Sequence, residues 1–190
     1  MKTLSTVQRL LTMAKLKLRG WVPYFTHVFS MMRTIETDEV PTMAVDQHNR
    51  LYCNQQFMET LTPVEVAYVL LHEVMHVVLS HCKRFKSAVP QSEERERYTW
   101  NVAADLVVQQ LLERHHGLSE PAGIIRIDGV IPGTNTKYLS VPGLVRGMTV
   151  EQYYGLLLQH VPEQPQPDGD NPLDPANAGS NLSLIHISEP

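Results

Sequence analysis

Residues 70–82 read LLHEVMHVVLSHC and contain the pattern HExxH at residues 72–76. The flanking residues are apolar nearly all round, which predicts a buried helix. At about 100° per residue, His72 and His76 stand roughly 40° apart on one face of such a helix, one turn from each other. Both imidazoles can then bind a single Zn²⁺ at about 2.0–2.1 Å. The spacing therefore predicts two metal ligands on one helix.

Glu73 follows the first of these histidines and is placed to reach a water molecule on the metal rather than the metal itself. Bound Zn²⁺ lowers the pKa of that water to about 7, and a carboxylate beside it can take the proton as a general base. This combination predicts a zinc peptidase that hydrolyses a peptide bond by a metal-activated water. The structural alternative is a pair of hydrogen-bonded core histidines with a buried glutamate ion pair.

A catalytic zinc site needs a third protein ligand and an open position for water. His81 is one candidate, but it lies nine residues after His72, which on a continuous helix turns it about 180° away. It could bind only if the helix broke within residues 77–80, VVLS, which contain no glycine. Asp105 is the other candidate, because it is a buried-looking acid in the apolar helix predicted from Trp100. The two alanines before this acid are small enough to let two helices approach closely.

Composition bounds the class of protein. The 190 residues are 43% hydrophobic and 19% charged, which suits a globular domain with a short appendage. A net charge of -4 gives no reason to expect nucleic acid as a partner. No run of 18 apolar residues and no signal-peptide core is seen, so no membrane span or membrane partner is predicted. Cys53 and Cys82 cannot form a disulfide framework, which favours a cytoplasmic protein with two core cysteines or cysteine metal ligands.

Helical and strand-like patterns together predict an α+β, mostly helical fold in which the motif helix packs on a second helix beside a small sheet. Thr62, Pro63 and Glu65 form a typical helix start before the motif. The predicted elements are helices over about residues 5–18 and 23–32, a hairpin of strands 42–45 and 50–53, a short helix after Asn54, the motif helix over residues 62–82, a helix from Trp100 to about Leu112, strand-like pieces at residues 124–127 and 130–131, and a helix opening at residues 149–152.

Three segments are predicted along the chain. Residues 1–160 form the domain that carries the motif. Residues 161–181 are rich in Pro, Asp, Asn and Gly and are predicted to be a disordered linker. Residues 182–190, LSLIHISEP, match the translation of a transposon-end sequencing adapter and are interpreted as non-native. A natural protein would then continue beyond the linker.

The helix downstream of the motif resembles that of the gluzincin peptidases, whose third acid lies on such a helix. Asn101, Ala104 and Asp105 align with their ExxAD motif, but Asn101 stands where the ligand glutamate would be. Asp105 falls where those enzymes keep an acid that orients a metal-bound histidine. The resemblance thus leaves Asp105 either as a ligand or as an orienting acid, with Asn101 as a possible outer-sphere group.

The order of motifs resembles the bacterial "predicted metal-dependent peptidase" family, a zincin-like HExxH metallopeptidase domain that normally precedes a von Willebrand factor A-like domain. The resemblance runs over about residues 23–160 and depends on the hairpin, on LLHEVMHVVLSHCKR, on WNVAAD and on GMTVEQYYGLL. It implies a peptide or protein substrate and an A-type domain after the linker. It also implies the alternative function of an inactive zinc-binding interaction module that works with the lost A-type domain and an AAA+ ATPase.

Overall fold

Helices and one small sheet make up the computed structural model, as the predicted α+β fold class requires. The structure describes residues 4–89, 93–114, 118–121 and 141–160. These fall into two units: the first contains residues 4–82 and 118–121, and the second contains residues 83–89, 93–114 and 141–160. Within the described residues no single helix is long and apolar enough to cross a membrane, and only a bent pair, residues 63–78 with 81–88, passes by length and composition.

The first unit begins with helix α1, Thr6–Trp21. Ser5 caps it, because its hydroxyl accepts a hydrogen bond from the Gln8 backbone N–H while its own backbone N–H donates one to Oε1 of Gln8. The helix is longer than its predicted extent of residues 5–18. A short 3₁₀ turn, Pro23–Phe25, leads into helix α2, Thr26–Met31, so the second predicted helix is present in two parts.

A three-stranded sheet follows, formed by β1, Arg33–Glu36, β2, Met43–Val45, and β3, Arg50–Cys53. The strand order is β1-β3-β2. The predicted hairpin is confirmed, since β2 and β3 pair antiparallel with Met43 opposite Cys53. Strand β1 was not predicted. It pairs parallel to β3, with Arg33 opposite Arg50, so its partner comes from further along the chain.

The hairpin turn is closed by a buried carboxylate, and we call Asp46, Arg50 and Tyr52 the hairpin cluster. One oxygen of Asp46 accepts backbone hydrogen bonds from His48 and Arg50, each at 2.9 Å. The other accepts the Arg50 Nε–H and, at 3.2 Å, the Tyr52 hydroxyl. Burial alone would raise the pKa of Asp46, but the hydrogen bonds from Arg50 and His48 outweigh it and lower that pKa.

Two helices follow the sheet in the first unit: α3, Gln55–Glu59, and α4, Pro63–Val78. Thr62 and Glu65 form the predicted capping box of α4. The helix packs against α1 and β2 within the first unit. Eleven consecutive residues of α4, from Val66 to His76, are buried. The prediction of a buried motif helix is therefore confirmed.

The motif helix ends earlier than the sequence predicted. Helix α4 stops at Val78, and a new helix, α5, His81–Ala88, begins three residues later. Between them Ser80 has a φ of 57°, in the left-handed region that residues other than glycine rarely adopt. The prediction of one continuous helix to Cys82 is therefore wrong, because this serine makes the break without a glycine.

The second unit is built on α6, Glu94–Leu112, and α7, Val150–His160, which pack together. Trp100 on α6 is fully buried and contacts the tilted ring of Phe85 and, edge to face, the ring of Tyr154, with ring centroids at 5.6 and 5.5 Å. Both helices were predicted, and the polar residues before Trp100 form the first turns of α6. The strand-like pieces at 124–127 and 130–131, the linker and the adapter-like tail lie outside the described residues.

Candidate metal centre

Helix α4 brings two imidazoles face to face. The Nε2 atoms of His72 and His76 are 3.0 Å apart, and both side chains are buried. Two nitrogen lone pairs would repel at this distance, so either a proton or a cation must lie between them. A cation satisfies both nitrogens at once. The donor set therefore fits a metal ion, as the spacing of the motif predicted.

His81 lies beside this pair, on the other side of the His76 ring. Its Nδ1 atom is 2.9 Å from Nδ1 of His76, and His81 is also buried. On the assumption of a continuous helix, this residue was predicted to point away from the metal. The break at Ser80 removes that assumption. The contact is nevertheless made to the nitrogen of His76 that faces away from His72, so His81 approaches the pair from outside.

Glu73 is completely buried within the first unit. Glu73 influences the two cysteines. Burial first, and the electrostatic effect of Glu73 second, raise the pKa of Cys53 to about 12 and the pKa of Cys82 to about 12. The Cys82 thiol donates to the carbonyl of Val45 at 3.5 Å. In the part of the chain that the structure describes, neither cysteine belongs to a candidate metal-binding group. Both behave as core residues, one of the two predicted alternatives.

Asp105 lies on α6 in the second unit and is 6% exposed. Asn101, one turn earlier on the same helix, is buried to the same degree. Like His72 and His76, Asp105 is buried and offers an atom able to bind a metal ion. Asp105 was predicted as a candidate third ligand because it is an acid within an apolar helix and follows two small alanines, and its role as a ligand stays a prediction.

The comparison with protein families covers almost the whole chain. Residues 6–181 match a family described as "Putative metallopeptidase domain". The chain belongs to this metallopeptidase family. A protein of Thermotoga maritima with the name "Uncharacterized protein" is 25% identical over 96 residues, which are 50% of this chain and 23% of that relative. The chain thus spans about a quarter of that relative's length, and no solved structure matches.

Membership of a metallopeptidase family agrees with the donor atoms of the candidate centre. Two imidazoles and one carboxylate are the ligand types of catalytic zinc sites that keep one position open for water. The matched residues include all of α4 and α6, on which the three candidate ligands lie. The family and the buried His-His-Asp set both fit a metal-dependent peptidase.

The position of His81 beside His76 was not predicted from the sequence. A weak signal was present, because LSHCKR places a serine directly before a polar, basic segment that continues as a separate helix. Serine is favoured at helix boundaries, where its hydroxyl competes for backbone hydrogen bonds. That signal suggests a boundary near Ser80. It does not specify the left-handed conformation that directs the next side chain back toward His76.

Proposed function

We propose that this protein is a zinc-dependent peptidase in which Glu73 acts as the general base. The observation that carries the proposal is the pair of Nε2 atoms of His72 and His76, 3.0 Å apart on a buried helix. A glutamate directly beside the first histidine supports catalysis, because a purely structural metal site gains nothing from it. The metallopeptidase family of the chain supports the reaction class.

The residues take distinct roles in this proposal. His72 and His76 would hold the ion through Nε2, and Asp105 would supply the third ligand atom. Zinc, when bound, polarises the substrate carbonyl and makes a nearby water molecule acidic near neutral pH. Glu73 accepts a proton from that water as its oxygen bonds to the carbonyl carbon. It then gives the proton to the leaving amine as the C–N bond breaks.

Glu73→Gln tests the catalytic role directly. The amide keeps the size of the side chain but cannot act as a base, and Glu73 is not proposed as a ligand. We therefore expect zinc content close to wild type, while cleavage of an unfolded protein or a peptide library falls by at least about 10²-fold. Zinc is measured by plasma mass spectrometry on the same samples used for the assay.

Two outcomes would contradict the proposed peptidase. Equal cleavage by wild type and Glu73→Gln would exclude Glu73 as the general base. Zinc binding without cleavage in either protein would favour the alternative, an inactive zinc-binding module that works with a von Willebrand factor A-like domain and an AAA+ ATPase. That assay is repeated with the A-type domain supplied on a longer chain.

Asp105→Asn tests the third ligand. The two side chains have nearly the same size, so the substitution removes the negative charge with little change in packing. If Asp105 only orients a ligand, we expect zinc affinity to fall by about 10–100-fold, and a larger fall indicates direct binding. Asn101→Ala is the matched comparison one turn away on α6, and we expect a smaller loss. Unchanged affinity in Asp105→Asn would exclude both roles.

A further inference from the structure

The contact between His81 and His76 is a built feature of the first unit. The two Nδ1 atoms are 2.9 Å apart, and the rings meet edge to face with centroids at 5.0 Å and planes at 67°. Each side chain is 1% exposed. Two buried imidazoles in hydrogen-bond contact need one ring to donate and the other to accept. The tautomers of the two rings therefore decide which histidine donates this hydrogen bond and which accepts it.

The answer follows from the other nitrogen of His76. Its Nε2 atom faces Nε2 of His72, which is the position of the proposed metal. An imidazole that binds a metal through Nε2 without losing its second proton carries that proton on Nδ1. His76 then donates from Nδ1, and His81 accepts at its own Nδ1.

We propose that His81 is a positioning residue, which fixes the ring orientation and the tautomer of His76 by accepting this hydrogen bond. The inference depends on the zinc of the proposed function but not on peptidase activity. It also differs from a role for His81 as a ligand, because His81 meets the nitrogen of His76 that faces away from His72. The chemical requirement at this position is a hydrogen-bond acceptor, not a metal donor.

The backbone supports a dedicated role. On an unbroken helix, five residues turn a side chain by about 500°, which would leave His81 roughly 140° round from His76. The left-handed Ser80, with a φ of 57°, interrupts the helix before His81, where α5 begins. Residues other than glycine adopt this conformation at a cost and persist in it where the surrounding structure holds them.

Two variants of similar size distinguish the loss of the hydrogen-bond acceptor at residue 81 from a change in side-chain volume. His81→Asn places an amide oxygen near the position of Nδ1, while His81→Leu has a similar size and no acceptor. In a competition titration against a chromophoric chelator, we expect zinc affinity close to wild type for His81→Asn and about 10–100-fold weaker for His81→Leu. His81→Gln, whose oxygen reaches instead toward the Nε2 position, is expected to resemble His81→Leu and replaces it if the leucine variant does not fold.

A spectroscopic measurement tests the same contact without activity. In the zinc-loaded protein labelled with ¹⁵N, the Nδ1 proton of His76 should give a slowly exchanging signal in wild type and in His81→Asn. The signal should be lost through exchange with water in His81→Leu. A packing role alone would not separate asparagine from leucine in this way.

The outcomes distinguish the two proposals. Equal zinc affinity in wild type and His81→Leu overturns the role of His81 and leaves the peptidase proposal intact. Equal losses in the asparagine and leucine variants also overturn it, because the acceptor would then be irrelevant. Zinc binding with the expected pattern but without cleavage supports His81 and counts against the peptidase. A wild-type protein that binds no zinc overturns both.

Discussion

The hairpin cluster and the histidines of α4 are two buried polar groups in the same unit, and they are satisfied in opposite ways. In the hairpin cluster, both oxygens of Asp46 receive hydrogen bonds from donors within six residues. Along α4, the Nε2 atoms of His72 and His76 face each other. One cluster pairs a carboxylate with protein donors, whereas the other presents two nitrogens to one point and needs a proton or a cation there.

This difference separates a structural site from a binding site. A buried polar group that its own chain satisfies contributes to folding, and removing one partner leaves the other group uncompensated. A set of facing acceptors gains its free energy from what it binds. The two regions should therefore respond differently to substitution, the hairpin cluster in stability alone and the histidine pair in metal affinity as well.

The largest expected effect is on zinc binding by the histidine pair. His72→Leu and His76→Leu each remove one imidazole ligand, so bound zinc should fall from about one per chain to near zero. In the absence of metal, each variant takes from the remaining buried imidazole the ring that it faces, so we expect a loss of about 1–3 kcal/mol in the free energy of unfolding relative to metal-free wild type. Plasma mass spectrometry and urea unfolding in the presence of a chelator measure the two quantities. Full zinc retention in either variant would show that the replaced histidine is not a zinc ligand.

A smaller effect, on stability alone, is expected in the hairpin cluster. Asp46→Asn removes the charge that Arg50 contacts, and hydrogen bonds to charged groups contribute about 1.5–3 kcal/mol. We expect a loss of that size in the free energy of unfolding, with zinc content unchanged. The exposed Asp38 provides the control, since Asp38→Asn should change stability by no more than about 0.5 kcal/mol. Loss of zinc in Asp46→Asn would show that the two regions are coupled.

The smallest effect is the pH dependence of that difference. The pKa of Asp46 lies below its ordinary value of 3.8 in the folded protein. The folded state therefore favours the ionised carboxylate, and the stabilisation is complete above the ordinary value and lost as the pH falls through the lowered one. Urea unfolding of wild type and Asp46→Asn should differ fully at pH 6 and progressively less below about pH 4. A difference that grows with acid would contradict the assigned pairing.

Elements with local signals were predictable from the sequence. Ser5 and Thr62 cap their helices by hydrogen bonds within three residues, and the turn residues between β2 and β3 mark the hairpin. The candidate ligands on α4 were also predictable, because their relation depends only on helical periodicity. Their burial and that of Asp105 are as expected.

Elements that depend on distant partners or on an uncommon backbone conformation were not predictable. Strand β1, RTIE, is short and polar, and it pairs with residues 17 positions further along. Ser80 adopts a left-handed conformation that no glycine announces. The predicted position of His81 was wrong because it assumed helical backbone angles at every residue from His72 onward. A single non-helical residue changes the direction of all the residues that follow it. Whether residues 1–160 form one domain, and whether an A-type domain follows, stay predictions.

The break at Ser80 also affects the order in which the site can assemble. It brings three imidazoles together from a stretch of ten residues, His72 to His81. Closing so short a segment costs little chain entropy compared with recruiting a ligand from far along the sequence. Contacts of low sequence separation also form early in folding. The histidine part of the centre is therefore a local folding unit, able to capture an ion before the chain synthesised after it has found its place.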